Sequence, residues 1–208
     1  MKQYEMPILQ GVSPSIEALT NVPAAPIACF PWPEKTSPYT PESRAQLACF
    51  DAGIAVLLSS TETPVRHEVT EQGGPVYQDS CLEFFVNADP QASDRYLNFE
   101  CNPKGVLHLA IGDGRHGRTL ISGLDFRSYF GIQATIRADG WQVYYVIPHD
   151  FIRAHYAGYQ PASGWAMKGN FYKCGDSTVH PHLACWNPIT IATPDFHRPE
   201  FFAPIIIR

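Results

Sequence analysis

Two short runs carry the side chains that could do chemistry: "DSCLEFFVN" at 79–87 and "RYLNFECN" at 95–102. If each run is a β-strand, alternate side chains share a face, and the apolar face of each strand belongs to a core. If the two strands also pair as neighbours, Glu83 on the opposite face would lie beside Asn98 and Glu100, with Tyr96 at the flank. Carboxylates accept hydrogen bonds and amides both donate and accept, so this patch suits a ligand covered in hydroxyl groups. The alternative is the water-exposed outer face that any antiparallel sandwich has.

Two pairs of side chains could also act as general acid and base on a sugar. Glu83 with Glu100 is one pair, and Asp195 with His197, in "DFHRPEFF" at 195–202, is the other. Glycoside hydrolysis needs two carboxyl groups roughly 5 to 10 Å apart across the scissile bond. The chain has no G-x-S-x-G, HExxH, phosphate-loop or dinucleotide-binding motif, so catalysis is not the leading hypothesis.

A third group of polar residues could ligate a metal. The run "CGDSTVHPHLACW" holds five side chains of suitable type, namely Cys174, Asp176, His180, His182 and Cys185. Their spacing matches no standard zinc pattern, and the proline between the histidines favours an extended loop. We predict no cofactor and leave the metal unknown, with calcium possible because outside EF-hands it leaves no fixed spacing.

The elements that must position these residues are mostly short strands. Nineteen prolines and fifteen glycines divide the chain, and no window has a long apolar stripe of helical period. "DAG" at 51–53 and "ADG" at 138–140 are typical of tight hairpins. Nine runs have strand character: 44–50, 53–60, 79–87, 95–102, 105–111, 131–138, 141–147, 166–174 and 203–208.

The fold class follows from these runs. They predict an all-β protein, an antiparallel β-sandwich of jelly-roll or immunoglobulin-like kind, with one or two short helices. The helices are expected in "SPSIEALT", capped by Ser13 or Ser15, and in "HDFIRAHY" after Pro148. Residues 1–43, rich in proline, are expected to form an irregular arm packed on a sandwich domain of residues 44–208.

Composition and charge exclude some classes of binding partner. The net charge is -5 and no Lys/Arg-rich run occurs, so we expect no nucleic-acid partner. The first residues contain no apolar run of signal-peptide or membrane-anchor length, so we expect no membrane partner and a cytoplasmic location. The six cysteines form no CxxC pair, and most lie in strand-like runs, which favours buried, reduced thiols over disulfides.

Several of these runs together resemble carbohydrate-binding module family 9-like domains. They are "VYQDSCLEFFVNAD", "YLNFECNPKGVLHLAIG", "NFYKCGD", "CWNPI" and "DFHRPEFF", and the resemblance covers about residue 40 to the end. It implies a β-sandwich that is non-catalytic and that, in xylanase-attached members, holds the end of a glucan or xylan chain. The partner expected here is therefore a carbohydrate ligand.

The resemblance also implies roles for particular residues. Glu83 matches a hydrogen-bonding carboxylate whose preceding loop is fixed by Asp79 and Ser80, Lys173 matches a polar strand position, and Phe196 matches a ligand-stacking aromatic. A second tryptophan of the sugar-binding members is replaced by Val76, next to Tyr77, and Glu100 stands where those members have an arginine. The predicted carbohydrate site comprises Tyr77, Glu83, Asn98, Glu100, Lys173, Trp186, Phe196, His197 and Arg198.

A related superfamily, DOMON-like, suggests a second class of function. Its members include haem-binding domains with methionine and histidine as axial ligands. In this chain Met167 with one of His180, His182 or His197 could fill those positions. Electron transfer is thus the alternative to sugar binding, and a sugar-acting enzyme with paired carboxylates is the third hypothesis.

Overall fold

A computed structural model describes residues 2–208 as two β-sheets with three short helices and two 3-10 turns. The strands are Tyr4–Met6 (β1), Ala25–Pro26 (β2), Ser43–Phe50 (β3), Gly53–Ser60 (β4), Cys81–Asn87 (β5), Tyr96–Cys101 (β6), Leu107–Gly112 (β7), Thr119–Leu120 (β8), Gln133–Arg137 (β9), Gly140–Pro148 (β10), Ala166–Cys174 (β11), Leu183–Cys185 (β12) and Ala203–Ile207 (β13). Each of the nine predicted runs overlaps one of these strands, because alternating apolar residues and turn signals are local properties of the chain.

The sheets stack as a sandwich, which confirms the predicted fold class. The large sheet has the strand order β1-β13-β11-β5-β6-β7-β8, with β12 also paired to β11. The small sheet has the order β2-β3-β4-β10-β9. All pairs are antiparallel except β1 with β13. The two predicted hairpins are present, and Gly140 at the second has a φ of 145°, which favours glycine.

The main core lies between the two sheets. Leu82, Phe84 and Val86 of β5 point into it, as do Leu97 and Phe99 of β6, and all five are buried. The alternation read from the sequence therefore assigned the apolar faces correctly. The burial of these faces supplies most of the driving force for pairing the sheets.

The opposite face of the large sheet is also covered, contrary to the alternative of a water-exposed face. Phe85, Tyr96 and Tyr172 on this outer face pack against Trp32 and Phe196, which come from two distant loops. Trp32 Nε1 donates to the Ile191 carbonyl at 2.7 Å and ties the two loops together. The outer face is thus the floor of an enclosed region.

The helices agree with the sequence in two of three cases. Ile16–Thr20 (α1) is capped by Ser15, whose Oγ accepts from the Ala18 amide, and His149–His155 (α3) follows Pro148. Phe126–Tyr129 (α2) was not predicted, since four residues are too short to show helical periodicity.

No helix among residues 2–208 has the length and apolarity needed to cross a bilayer.

The first 43 residues are less irregular than expected. β1 extends the large sheet and β2 extends the small one. Tyr4 is buried, and its hydroxyl donates to the Pro23 carbonyl at 2.7 Å and accepts from the Leu47 amide at 2.9 Å. This segment is therefore part of both sheets of the sandwich.

The six cysteines are free thiols, and all except the half-buried Cys29 are buried. This agrees with the expectation of small buried side chains. Their positions matter for the site because Cys81 and Cys174 lie on the outer face of the large sheet.

Candidate functional site

A cleft of about 320 Å³ opens on the outer face of the large sheet. Its floor comes from β5, β6, β7 and β11, and its walls come from the loops around residues 32, 77, 115 and 195. The lining residues are Trp32, Tyr77, Glu83, Phe85, Glu100, His108, Arg115, Cys174, Asp176, Leu183, Pro194, Asp195, Phe196 and His197. A larger groove of about 750 Å³ lies against the small sheet, but it has no buried carboxyl group in its walls.

Two buried carboxyl groups form the centre of the floor. Glu83 and Glu100 are directly opposite each other in the β5–β6 pair, and both are less than a tenth exposed. Burial and the Glu100 carboxylate hold the pKa of Glu83 well above its ordinary range. Burial also raises the pKa of Glu100, but nearby His108, Asn98 and Arg118 favour its charged form. Burial and mutual repulsion therefore oppose the simultaneous ionisation of the two carboxyl groups.

Asn98 supports Glu100 from the same strand. Its Nδ2 donates to Glu100 Oε1 at 2.7 Å, and its Oδ1 accepts from Arg118 Nε at 3.1 Å. The Arg118 guanidinium also lies 4.2 Å from the ring centroid of Tyr96, in a cation–π contact. Asn98 is buried and does not line the cleft. It orients a floor carboxylate and does not face a ligand.

Aromatic rings form the walls of the cleft. Phe196 stacks on Tyr172 with ring centroids 4.2 Å apart and contacts Trp32 at 5.8 Å. Phe196 is thereby fixed, and one of its faces is covered. Tyr77, in the 3-10 turn Val76–Gln78, is 44% exposed and is the aromatic side chain of the lining most open to a ligand.

Ion pairs at the rim hold the last loop in place. Asp195 accepts a hydrogen bond from Arg115 Nη1 at 3.0 Å and forms an ion pair with Arg198, whose Nε lies 2.9 Å from Asp195 Oδ2. His197 lies with Nδ1 2.9 Å from the Tyr96 hydroxyl, and burial with nearby Arg118 lowers its pKa to about 3. Arg198 lies outside the cleft lining and acts through Asp195.

The loop before β5 is held by the two residues that the family resemblance pointed to. Asp79 accepts from the amides of Glu68 and Val69, each at 2.9 Å, and Ser80 Oγ accepts from the Arg66 amide at 2.9 Å. Both Asp79 and Ser80 are fully buried. They fix the loop that carries Tyr77.

The structure does not bring Lys173 or Trp186 into the cleft, contrary to our expectation. In the β11–β5 register Tyr172 is opposite Glu83, so the next residue, Lys173, points to the other side of the sheet. There its Nζ forms a buried ion pair with Glu62 Oε2 at 2.8 Å. Trp186 packs against Tyr4 and Phe171 in the main core.

The candidate ligands in 174–185 also do not converge. Cys174 lines the cleft. His182 lies near Glu62, with its Nε2 3.8 Å from Glu62 Oε1. The backbone of Cys185 forms an isolated antiparallel β-bridge with that of Cys29. Among residues 2–208, one set of three metal-ligating side chains has its atoms within 4.8 Å of one another: Cys81, Glu83 and Cys174. Two of these are thiols, which are not calcium ligands.

The proposed haem ligands are separated by the sheet. Met167 lies near the start of β11 and Cys174 lies at its end, seven residues later. Because a strand rises about 3.3 Å per residue, the two ends are about 23 Å apart. His182 is adjacent to the Cys174 end, where Leu183 pairs with Cys174. His197 is on the outer face, whereas Met167 points into the main core. Met167 therefore cannot share an iron with His182 or His197.

Sequence reasoning missed several cleft residues. His108 could have been found, because "VLHLA" alternates and places His108 opposite Glu100. Trp32 and Arg115 lie in loops, and no local pattern shows that these loops fold over β5 and β6. Asp176 follows the end of β11 and had been considered only as a metal ligand.

The buried His182 gives a stability prediction. Burial and nearby Lys173 lower its pKa to about 4, whereas an unfolded chain protonates histidine near 6.5. As the pH falls below 6.5, the unfolded state takes up a proton that the folded state does not, so the folded state loses stability down to about pH 4. Between pH 7 and 5 we expect the stability advantage of the wild type over His182→Gln to shrink by about 1 to 2 kcal/mol in urea titrations. The exposed His116 is the matched control, and His116→Gln should change the stability at pH 7 by less than about 0.5 kcal/mol. Parallel stability curves for the wild type and His182→Gln would contradict the prediction.

Comparison with known proteins agrees with this architecture. A family model described as carbohydrate-binding family 9 matches residues 12–207. The crystal structure of a candidate carbohydrate-binding protein from Bacteroides uniformis has a TM-score of 0.83 and 28% identity, with 100% of both chains covered.

Two further solved structures share the fold. A family 9 carbohydrate-binding module from Caldicellulosiruptor kristjanssonii, in complex with cellotriose, has a TM-score of 0.65 and 15% identity over 100% of this chain and 94% of that one. The same organism's module in complex with glucose has a TM-score of 0.61 and 17% identity, covering 97% and 94%. Among curated proteins, no match was found.

Proposed function

Because this chain belongs to carbohydrate-binding family 9, we propose that it is a non-catalytic protein whose outer-face cleft holds one end of a glucan or xylan chain. The observation that carries the proposal is the combination in one cleft of a buried carboxyl pair, Glu83 and Glu100, with the exposed ring of Tyr77. The volume of about 320 Å³ is at the small end of ligand sites, which fits one or two sugar units.

The polar groups of the cleft match the donors and acceptors of a sugar. Glu100 and Asp176 can accept hydrogen bonds from the hydroxyl groups of a sugar. Arg115 at the rim can donate hydrogen bonds to the oxygen atoms of those hydroxyl groups. The Glu83 carboxyl group can accept hydrogen bonds from hydroxyl groups and, when protonated, can donate one. Tyr77 supplies the flat apolar surface that covers the C–H face of a pyranose ring.

The placement of the carboxyl groups supports binding rather than hydrolysis. Glu83 and Glu100 are cross-strand neighbours on one sheet face, so a ligand above them meets both from the same side. A glycosidase needs its two carboxyl groups on opposite sides of the scissile bond. Asp195 is held by two arginines, and the His197 ring is held by Tyr96, so this second pair stabilises the loop.

Calorimetric titration with mono- and oligosaccharides of glucose and xylose tests the proposal. We expect binding by the wild type, and a decrease in affinity of about tenfold for Tyr77→Ala, since an aromatic contact contributes roughly 1 kcal/mol or more. Tyr129, which is 40% exposed and lies outside the cleft, provides the matched control, and Tyr129→Ala should bind like the wild type. Absence of heat from every sugar in the panel would overturn the proposal.

A further inference from the structure

Three buried ligand-type side chains meet behind the floor of the cleft. Cys81, Glu83 and Cys174 are each no more than 2% exposed, and one ligating atom of each lies within 4.8 Å of the other two. The sugar-binding proposal uses only one of the three, so the two thiols have no role in it.

Strand pairing explains how the three side chains come together. Cys81 of β5 and Cys174 of β11 are directly opposite each other in the antiparallel register. Glu83 lies two residues further along β5, on the same face. All three groups are therefore held by the backbone of two central strands, which is a more rigid support than a loop.

The contacts within the cluster leave a carboxyl group without a cation. The Cys174 thiol lies 3.0 Å from Glu83 Oε1 and donates to it. Among residues 2–208, no lysine, arginine or histidine forms an ion pair with Glu83. A divalent cation would take the place of the protons that now join these groups.

The geometry matches one face of a tetrahedral zinc site. Zinc–sulfur bonds are about 2.3 Å long, so two sulfurs on one zinc are about 3.8 Å apart in a tetrahedron. A triangle of donor atoms with edges below 4.8 Å is close to that size. Two thiolates with one carboxylate also favour zinc over calcium or magnesium, which take oxygen ligands.

We infer that Cys81, Glu83 and Cys174 form a Zn²⁺ site with three protein ligands and a fourth coordination position open to the cleft. Glu83 and Cys174 line the cleft and so provide the path by which the ion enters. On binding, the two thiol protons pass to solvent, as does the carboxyl proton when Glu83 is protonated, and the metal takes their place between the ligands. The inference rests on these side chains alone and does not depend on the proposed function.

The full-length wild-type protein, stripped of metal and kept reduced, tests the inference by Zn²⁺ competition against a chromophoric chelator. We expect one equivalent to bind, and affinity to fall about 100-fold or more in Cys81→Ser and Cys174→Ser. Cys101→Ser is the matched control, because Cys101 is equally buried on the neighbouring strand but points into the main core. It should bind Zn²⁺ like the wild type.

Cobalt substitution of the unmutated protein gives a readout that needs no variant. Co²⁺ bound by Cys81 and Cys174 should show a sulfur-to-cobalt charge-transfer band in the ultraviolet and the visible bands of tetrahedral cobalt. Absence of the charge-transfer band, or Zn²⁺ affinity unchanged in folded serine variants, would overturn the inference.

Sugar titration of the metal-free protein distinguishes the zinc site from the proposed function. Sugar binding without zinc binding overturns only the zinc site, whereas zinc binding without sugar binding overturns only the proposed function.

Discussion

Replacement of Glu83 by alanine is expected to weaken sugar binding about 100-fold in the metal-free protein, while the fold is retained. Glu83 is buried at the centre of the cleft floor, and its loss would remove two or more hydrogen bonds, each of which contributes about 0.5 to 1.5 kcal/mol, or about 1.5 to 3 kcal/mol where the group is charged. Calorimetric titration with the tightest-binding sugar of the panel measures the change. Circular dichroism and thermal unfolding check that the variant is folded.

Two further variants make this result specific. Glu83→Gln preserves the shape of the side chain and one acceptor oxygen and offers an N–H donor, so its sugar affinity should fall only about tenfold. The exposed Glu71 is the matched surface control, and Glu71→Ala should bind normally. Wild-type affinity in folded Glu83→Ala would show that the sugar does not contact the floor.

Replacement of Lys173 by methionine is expected to destabilise the fold by about 3 to 5 kcal/mol and to leave the sugar affinity of the folded protein unchanged. Lys173 Nζ lies 2.8 Å from Glu62 Oε2 and 2.6 Å from the Cys174 carbonyl, and both charged side chains are almost fully buried. Without the ammonium group, the Glu62 carboxylate would keep only the bond from Trp141 Nε1, at 3.1 Å. Urea titration measures the loss of stability.

The matched control is on the same strand. Lys168 is exposed, so Lys168→Met should change stability by less than about 0.5 kcal/mol. The double variant Lys173→Met with Glu62→Gln should recover part of the loss, because no unpaired charge remains buried. A Lys173→Met protein that is as stable as the wild type but no longer binds sugar would restore Lys173 to the binding site.

The two sets of residues show how far local patterns reach. Alternation predicts that Glu83 lies on the polar face of one strand and Asn98 and Glu100 on that of another, and the structure shows that these two strands, β5 and β6, are neighbours. Lys173 and Trp186 were assigned to the site through resemblance, and the structure places them in the interior instead. Alternation shows that Lys173 and Tyr172 point to opposite faces of β11. Only the pairing of β11 with β5 shows that Tyr172, and not Lys173, shares the face of Glu83.

The sequence by itself determined nine of the thirteen strands, the apolar faces of the central ones, the two tight hairpins and two of the three helices. The four strands that it did not predict, β1, β2, β8 and β12, have only two or three residues each. These depend on side-chain alternation, turn residues and caps, which act over a few positions. Only the tertiary structure decided that the polar face is enclosed. Trp32 reaches over it to a loop 159 residues away in sequence, and Cys174 meets Glu83 across 91 residues. Such contacts arise when whole sheets and loops bury their surfaces together, and no local pattern encodes that burial.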